Sequence, residues 1–336
     1  MKHFYKILFF NSVMLGTIIT ISSSSWFTSW IGLEMNLLSI LPLMKNHKNK
    51  YESEATMKYF IIQAMSSALF LFSIIMIINM KKIMEMPFIY SSTLINIAIL
   101  LKMGAAPFHF WLPEVISGLN WLMIFIILTW QKIAPMILLI YTIYSPLLMS
   151  MIIICSSLIG GMQGMNQTCM RKIMAYSSIN HISWMISAIL NSISIWVCYF
   201  LIYSVINLCI MIPMHKYKIF FFNQMSKLYS HNKNLKFLFM MNFLSLAGLP
   251  PFLGFFPKWL TINFMIYSNF FTLSFFMIIF TLISLYFYLR ITFPTFSLNS
   301  EESLNFIMKK NMYFNYLFMF ISLSGLMLCL IMVNFF

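Results

Sequence analysis

The sequence lacks aspartate altogether and contains two arginines; charged residues make up 8% of its 336 residues, against 61% hydrophobic residues. Soluble domains carry about 25% charged residues, so this composition excludes a water-soluble fold. The longest polar stretch, near 213–236, is too short to form a soluble catalytic domain. At about 20 apolar residues per transmembrane helix, the chain has room for roughly ten to twelve. The composition therefore predicts an all-α, polytopic membrane protein.

The five cysteines lack the spacing of a disulfide framework or a metal site, and none forms a C-x-x-C pair. The Gly160-Gly161 pair is followed by no Gly-Lys-Ser/Thr, as a nucleotide-binding loop would require. No Ser–His–acid set, iron–sulfur spacing or dinucleotide fingerprint occurs. We therefore expect no cofactor, no metal and no redox chemistry in this chain alone.

The formal net charge of +14 is spread between apolar runs. Nucleic-acid binding requires a clustered basic face, so we expect no nucleic-acid partner. The basic residues indicate topology instead, because they concentrate in loops on the inner side of a membrane. Loops on the N-terminal side hold fourteen of them, against Lys81 and Lys82 on the other side: Lys2, Lys6, Lys45, Lys48, Lys50, Arg171, Lys172, Lys216, Lys218, Lys227, Lys233, Lys236, Lys309 and Lys310. This distribution predicts an inner N-terminus and, with an odd number of helices, an outer C-terminus.

Apolar runs and their polar interruptions predict about eleven transmembrane helices. They lie near 5–24, 26–44, 55–80, 88–106, 119–142, 146–165, 170–190, 195–214, 236–268, 270–293 and 313–335. The fourth and ninth are interrupted by the same pattern, a glycine followed by prolines, in strongly apolar surroundings. Proline removes a backbone donor and disfavours helix, so a helix break is predicted in each. The residues of the two breaks are Gly104, Pro107 and Pro113 in the first, and Gly248, Pro250, Pro251 and Pro257 in the second.

The two breaks suggest an internal repeat. Each falls in the fourth helix of a group of five, and Pro107 and Pro251 are 144 residues apart. Because five is odd, the second copy would enter the membrane from the opposite face, as in many secondary transporters. We therefore predict a first five-helix repeat at 1–143 and an inverted one at 144–293. An inner-side loop and a C-terminal transmembrane helix would follow at 294–336.

Ionisable side chains inside apolar helices are costly and indicate a polar path by default. Glu34 is the acidic residue predicted deepest in a helix, and a packing ion pair with a lysine is the alternative role. Lys102 precedes the first break and Lys132 is mid-helix, both too far from a helix end for easy snorkelling. A desolvated lysine changes its protonation state readily when a neighbouring charge moves. Lys258 follows the second break, and snorkelling is the alternative for it.

Two histidines and a further lysine are secondary candidates. His109 lies in the first broken segment and His181 in the seventh predicted helix. Histidine relays protons near neutral pH, but inside a membrane it serves as often as an interhelical hydrogen-bond partner. Lys58 lies one turn into the third helix, where snorkelling toward the inner face is the simpler role.

Six stretches closely resemble one protein family: WIGLEMNLLSILPL (30–43), ESEATMKYFIIQA (52–64), LLKMGAAPFHFWLPEV (100–115), LTWQKIAPM (128–136), QTCMRKIMAYSSINHISWM (167–185) and NFLSLAGLPPFLGFFPKW (242–259). They are similar to the chain 2 family of mitochondrial NADH:ubiquinone oxidoreductase, respiratory complex I, in an insect-like form. This family belongs to the antiporter-like subunits, which are built from inverted five-helix repeats with broken helices.

The resemblance implies a proton-translocating subunit of the membrane arm in the mitochondrial inner membrane. By resemblance, Glu34 and Lys102 form an interacting pair, Lys132 is the central relay and Lys258 is linked to the outer exit. His109, His181 and Lys58 would lie along the hydrated axis. FMN, iron–sulfur clusters and ubiquinone are expected in other subunits, and the expected partners are further membrane-arm subunits and membrane lipids such as cardiolipin. The competing functions are a stand-alone cation/proton antiporter and a structural subunit without a proton channel.

Overall fold

A computed structural model describes residues 4–45, 49–80, 87–143, 145–225 and 233–297 of the chain. Within these ranges the regular structure is helical, and an isolated antiparallel bridge joins Cys169 to Phe221. The prediction of an all-α fold is confirmed. The predicted last helix at 313–335 lies outside the described residues.

The α-helices of the described ranges follow one another closely. They are α1 Phe4–Ser22, α2 Trp26–Met44, α3 Lys50–Met80, α4 Pro87–Met103, α5 Trp111–Gly118, α6 Trp121–Leu128, α7 Trp130–Ile140, α8 Pro146–Met165, α9 Met170–Asn191, α10 Ile193–Tyr217, α11 Lys233–Ala247, α12 Phe255–Tyr267 and α13 Phe271–Ser297. A 3₁₀ turn, Phe222–Met225, follows α10.

Eight helical segments of the described chain are long and apolar enough to cross a membrane. They are Phe4–Ser22, Trp26–Met44, Lys50–Asn79, Trp121–Ile140, Pro146–Met165, Met170–Asn191, Ile193–Tyr217 and Phe271–Phe293. The two segments predicted to be broken contain the shorter apolar helices Ser92–Met103 and Phe237–Ala247. The protein is thus a multi-pass membrane protein, and the total of eleven helices stays a prediction.

The chain divides into two compact units, residues 1–152 and 153–336. In the first unit, α3 packs against α2, α4 and α5, while α7 packs against α1, α4 and α6. In the second unit, α9 contacts α10, α12 and α13. Seventeen of the 22 residues of α9 are buried, as expected for the central helix of a bundle. The predicted domain limits, 1–143, 144–293 and 294–336, remain a prediction.

The first predicted break is a glycine-terminated helix end. Gly104 has φ +73°, a conformation that favours glycine. The Gly104 N–H donates to the Leu101 carbonyl (3.2 Å) and the Ala105 N–H to the Leu100 carbonyl (3.1 Å). This pair of hydrogen bonds is the Schellman motif, which satisfies the last carbonyls of a helix.

The second break repeats this geometry. Gly248 has φ +81°. Its N–H donates to the Ser245 carbonyl (3.0 Å), and the Leu249 N–H donates to the Leu244 carbonyl (3.4 Å). In both breaks the glycine ends the helix and the prolines that follow prevent it from continuing.

The later prolines act differently from the prediction. Pro113 and Pro257 were expected to break helices, yet each is the third residue of a new one, α5 or α12. The first turn of a helix has N–H groups without intrahelical acceptors, so a proline there loses nothing. The segment after Gly248 is consequently irregular only to Gly254, since α12 occupies Phe255–Tyr267.

Candidate functional site

A cavity of the first unit brings together two of the predicted residues, Lys102 and Lys132. It contains about 20 Å³ of space for the centre of a water molecule. About 10–15 Å³ is enough for one water, so the cavity has room for about one water molecule. Its other polar lining side chains come from α2, α3 and α7, namely Asn36, Tyr59, Gln63 and Gln131. These side chains can donate to and accept from water.

Lys102 lies in the last turn of α4, directly before the break, and is 8% exposed. The helix end leaves carbonyl groups that neighbouring helices satisfy. Gln63 Nε2 donates to the Lys102 carbonyl (3.1 Å), and Trp111 Nε1 donates to the Leu101 carbonyl (3.1 Å). The break is therefore held by side chains of α3 and α5, while Lys102 lines the cavity.

Lys132 lies where one predicted helix is divided into α6 and α7. The Thr129 hydroxyl donates to the Phe125 carbonyl (2.6 Å). The Lys132 N–H donates to the carbonyl of Thr129, three residues earlier (3.1 Å), whereas in an α-helix it would donate to the residue four positions earlier. Pro135 cannot donate to the carbonyl of Gln131 and clashes with the preceding turn, which accounts for the irregularity. Lys132 is 2% exposed and reaches the cavity from this irregular turn.

Glu34 is half-buried on α2 and does not line the cavity, although its neighbours Leu33 and Asn36 do. It interacts electrostatically with Lys102. The two side chains are not among the direct ion pairs within 4.0 Å of the described residues, which join Lys58 to Glu54 and Glu114. The predicted pairing of Glu34 with Lys102 is therefore an interaction at longer range in this structure.

Lys258 holds the second break together. Its ammonium donates to the carbonyls of Ala247 (2.7 Å) and Leu246 (3.4 Å), at the C-terminal end of α11. The helix dipole places partial negative charge there, which favours a cation. A Cβ atom at Gly248 would lie 2.7 Å from the Lys258 Cδ, so the glycine also makes room for the lysine. Lys258 is 6% exposed and its ammonium lies 5.8 Å from the centre of the Trp184 ring.

His181 belongs to a buried aromatic cluster at the centre of the second unit. Its Nδ1 lies 2.9 Å from the Tyr199 hydroxyl, and its ring is 4.9 Å from that of Tyr203, centre to centre. Tyr199 and Tyr203 are both buried on α10. A tyrosine hydroxyl can donate to or accept from Nδ1, so the tautomer of His181 decides the direction of this bond.

The remaining predicted residues lie elsewhere. His109 is buried in the first break, with Nδ1 3.2 Å from the Pro107 carbonyl oxygen, and does not line the cavity. Lys58 forms ion pairs of 3.0 Å with both Glu54 and Glu114, and 41% of its side chain is exposed. Its position agrees with snorkelling better than with a place in the cavity.

The sequence analysis did not identify the uncharged polar side chains that line the cavity, nor the buried carboxylate of Glu52. Gln131 Nε2 donates to Asn36 Oδ1 (2.8 Å) across the cavity wall, and neither residue was selected because uncharged amides give no strong signal in an apolar helix. Glu52 is 3% exposed and was not among the predicted site residues. The spacing of Glu52, Tyr59 and Gln63 along one face of α3 was the available signal.

Within the described residues, no three or more His, Cys, Asp or Glu side chains form a group that could hold a metal ion.

Comparison with known proteins agrees with this architecture. The sequence profile of the NADH:quinone oxidoreductase/Mrp antiporter transmembrane family matches residues 23–284. A protein of Anopheles gambiae named NADH-ubiquinone oxidoreductase chain 2 is 44% identical over 337 residues, 98% of each chain. A protein of the same name from Locusta migratoria is 44% identical over 303 residues, 89% of this chain and 87% of that one.

Two solved structures share the fold. A chain of respiratory complex I from Thermus thermophilus matches with a TM-score of 0.84 at 22% identity, covering 97% of this chain and 77% of that chain. A chain of the Mrp complex from Dietzia sp. DQ12-45-1b matches with a TM-score of 0.70 at 15% identity, covering 83% and 58%. At such identities the likeness concerns the fold alone. The matched profile and the near full-length relatives place this chain in the NADH-ubiquinone oxidoreductase chain 2 family of antiporter-like membrane proteins.

Proposed function

We propose that this chain is a proton-translocating membrane-arm subunit of NADH:ubiquinone oxidoreductase. Quinone reduction elsewhere in the complex would drive proton transfer along its buried ionisable side chains. The observation that carries the proposal is the shared cavity of Lys102 and Lys132. Two lysines that line one cavity with room for a water molecule can exchange a proton through it, because a neutral amine accepts what an ammonium releases.

The electrostatic coupling between Glu34 and Lys102 supplies the driving step. Two unit charges about 4 Å apart interact by roughly 4 kcal/mol at an effective dielectric constant near 20, and by about half of that at twice the distance. An interaction of about 2 kcal/mol changes a proton affinity about thirtyfold. A change in the charge near Glu34 would therefore alter how firmly Lys102 holds its proton, and Lys132 would respond across the cavity. Lys258 and His181 would serve proton transfer in the second unit.

The proposal includes the location of the subunit, the orientation of its termini and its partners. The relatives are named as chains of a respiratory enzyme, which supports a place in the mitochondrial inner membrane beside further antiporter-like subunits. The loop charges support an N-terminus in the matrix and a C-terminus in the intermembrane space. FMN, iron–sulfur clusters and ubiquinone would belong to other subunits. Exposed apolar side chains on α1 and α2 would contact neighbouring subunits or lipids, cardiolipin among them.

The matched family also includes Mrp antiporters, which supports a second candidate, a stand-alone cation/proton antiporter. Such a protein would exchange ions without partners, whereas a complex I subunit would not. Reconstitution of the purified chain in liposomes separates the two. We expect no cation-dependent proton movement, and rapid exchange would favour the antiporter.

The proposed function predicts that Glu34→Gln and Lys102→Met each lower NADH-driven proton pumping about tenfold or more in vesicles that contain the assembled complex. Because the two side chains act on the same step, the double variant should lose little more than either single one. Dye quenching measures the pumping and native gels measure the assembly. Lys45→Met, at the exposed end of α2, is the matched control. Normal pumping by assembled Lys102→Met complex would contradict the proposal.

Tyr199→Phe tests the part played by His181. The substitution removes the hydroxyl that lies 2.9 Å from Nδ1 and keeps the ring in place. A neutral hydrogen bond is worth about 1 kcal/mol, so we expect pumping to fall about fivefold. The exposed Tyr267→Phe is the control. Equal pumping rates in both variants would assign His181 a structural role.

A further inference from the structure

One face of α3 carries a buried polar stripe, formed by Glu52, Thr56, Tyr59 and Gln63. Their spacing of four, three and four residues places them on one side of a helix. Met57 and Ile61, which lie between them, are exposed on the other side. At 1.5 Å per residue the stripe is about 16 Å long, roughly half the thickness of the hydrocarbon core.

The stripe connects the beginning of α3 with the cavity. Tyr59 and Gln63 both line the space that contains Lys102 and Lys132. Thr56 is 7% exposed and lies between them and Glu52. Trp111 packs edge-on against Tyr59, with ring centres 5.9 Å apart. These buried polar side chains therefore lie along one face of α3, from its first turn to the cavity, and the Thr56 hydroxyl donates to the Ser53 carbonyl (2.7 Å).

Glu52, at the start of the stripe, is held by neutral groups. Asn120 Nδ2 donates to its Oε1 (2.7 Å), and Asn49 Nδ2 donates to the same oxygen (3.0 Å). The ion pairs of the described chain involve Glu54 and Glu114 instead. Burial makes a charged carboxylate costly, and neutral donors offset only part of that cost. Within the described residues, the Glu52 carboxylate is thus held at Oε1 by two neutral amides and takes part in neither group of ion pairs.

We propose that Glu52 takes up protons and that the stripe conducts them to the cavity; the proposal rests on the proposed function. A proton from the aqueous phase adds to the Glu52 carboxylate and then passes through water and the hydroxyls of Thr56 and Tyr59. Each hydroxyl accepts one proton and releases another. A neutral amine of Lys102 or Lys132 receives the proton, and Glu52 returns to its carboxylate form. Only O–H and N–H bonds are made and broken.

A purely structural role for Glu52 makes a different prediction. Its two hydrogen bonds join the segment before α3 to the turn between α5 and α6. In Glu52→Gln the amide oxygen still accepts from both asparagines, so this connection persists while the titratable group is lost. The isosteric variant thus separates proton uptake from structure.

The experiment measures NADH-driven proton pumping by the assembled complex in membrane vesicles. We expect Glu52→Gln to lower the initial rate about tenfold or more, with a larger solvent deuterium isotope effect because proton uptake becomes the slow step. Glu52→Asp should recover part of the rate. Glu54→Gln is the matched control, since Glu54 lies two residues away and its side chain is 61% exposed.

Tyr59→Phe is the second variant, in case Glu52→Gln impairs assembly. It keeps the ring against Trp111 and removes the hydroxyl of the stripe, so we expect the same slow uptake. If both variants pump like Glu54→Gln while Lys132→Met is inactive, the uptake route is overturned and the proposed function stands. If Lys132→Met also pumps normally, the proposed function itself fails.

Discussion

Replacement of Lys132 by methionine is expected to reduce NADH-driven proton pumping to about a hundredth, because the central titratable group of the first unit is lost. Lys132 is 2% exposed and lines the cavity that also contains Lys102. Methionine has a similar length and no polar head, so the shape of the cavity should persist. Proton pumping and NADH oxidation in vesicles, together with native gels, check this expectation.

Lys132→Arg distinguishes proton transfer from the mere presence of a charge. Arginine keeps the positive charge but does not release its proton at physiological pH. We therefore expect the arginine variant to assemble and to be as inactive as the methionine variant. Recovery of pumping with arginine would show that Lys132 acts as a fixed charge. The exposed Lys45→Met should behave like the unsubstituted protein.

Replacement of Lys258 by methionine is expected to reduce both stability and pumping. The Lys258 ammonium donates to the carbonyls of Leu246 and Ala247 at the end of α11. Loss of the donor leaves these buried carbonyls without that partner, at a cost of about 1–3 kcal/mol. The thermal midpoint of the purified complex should fall, and pumping should be lost with it.

Lys258→Arg separates the two roles. A guanidinium can still donate to the helix end, so stability should largely return, whereas release of a proton stays blocked. Lys216→Met, at the exposed end of α10, is the control for the loss of a lysine. Full pumping by Lys258→Arg would assign Lys258 a structural role only.

The two helix breaks show which features a local sequence pattern can predict. A glycine followed by proline is a local signal, and both predicted breaks are present at Gly104 and Gly248. The roles of Pro113 and Pro257 could not be predicted from the same local pattern. Whether Pro113 ends one helix or begins the next depends on where the chain resumes its hydrogen bonding, and a single proline is compatible with both.

The candidate site shows the same contrast between features that a local sequence pattern predicts and features that only packing decides. Charged residues in apolar helices are conspicuous, so Lys102, Lys132 and Lys258 could be selected individually. Their different surroundings were not predictable, because Lys258 bonds to a helix end whereas Lys102 and Lys132 face a cavity. Glu52 was not among the predicted site residues, and only the packing of the helices shows that its carboxylate is buried.

The amino-acid sequence alone determined the membrane class, the family, the positions of most helices and the two breaks, because apolar runs and Gly/Pro punctuation act over a few neighbouring residues. The tertiary structure decided which polar groups share a cavity, which lysine caps a helix and which carboxylate is removed from water. Those outcomes depend on contacts between residues far apart in the chain, such as Gln63 with Lys102 and Glu52 with Asn120. No local pattern specifies such contacts, since they arise only when helices pack.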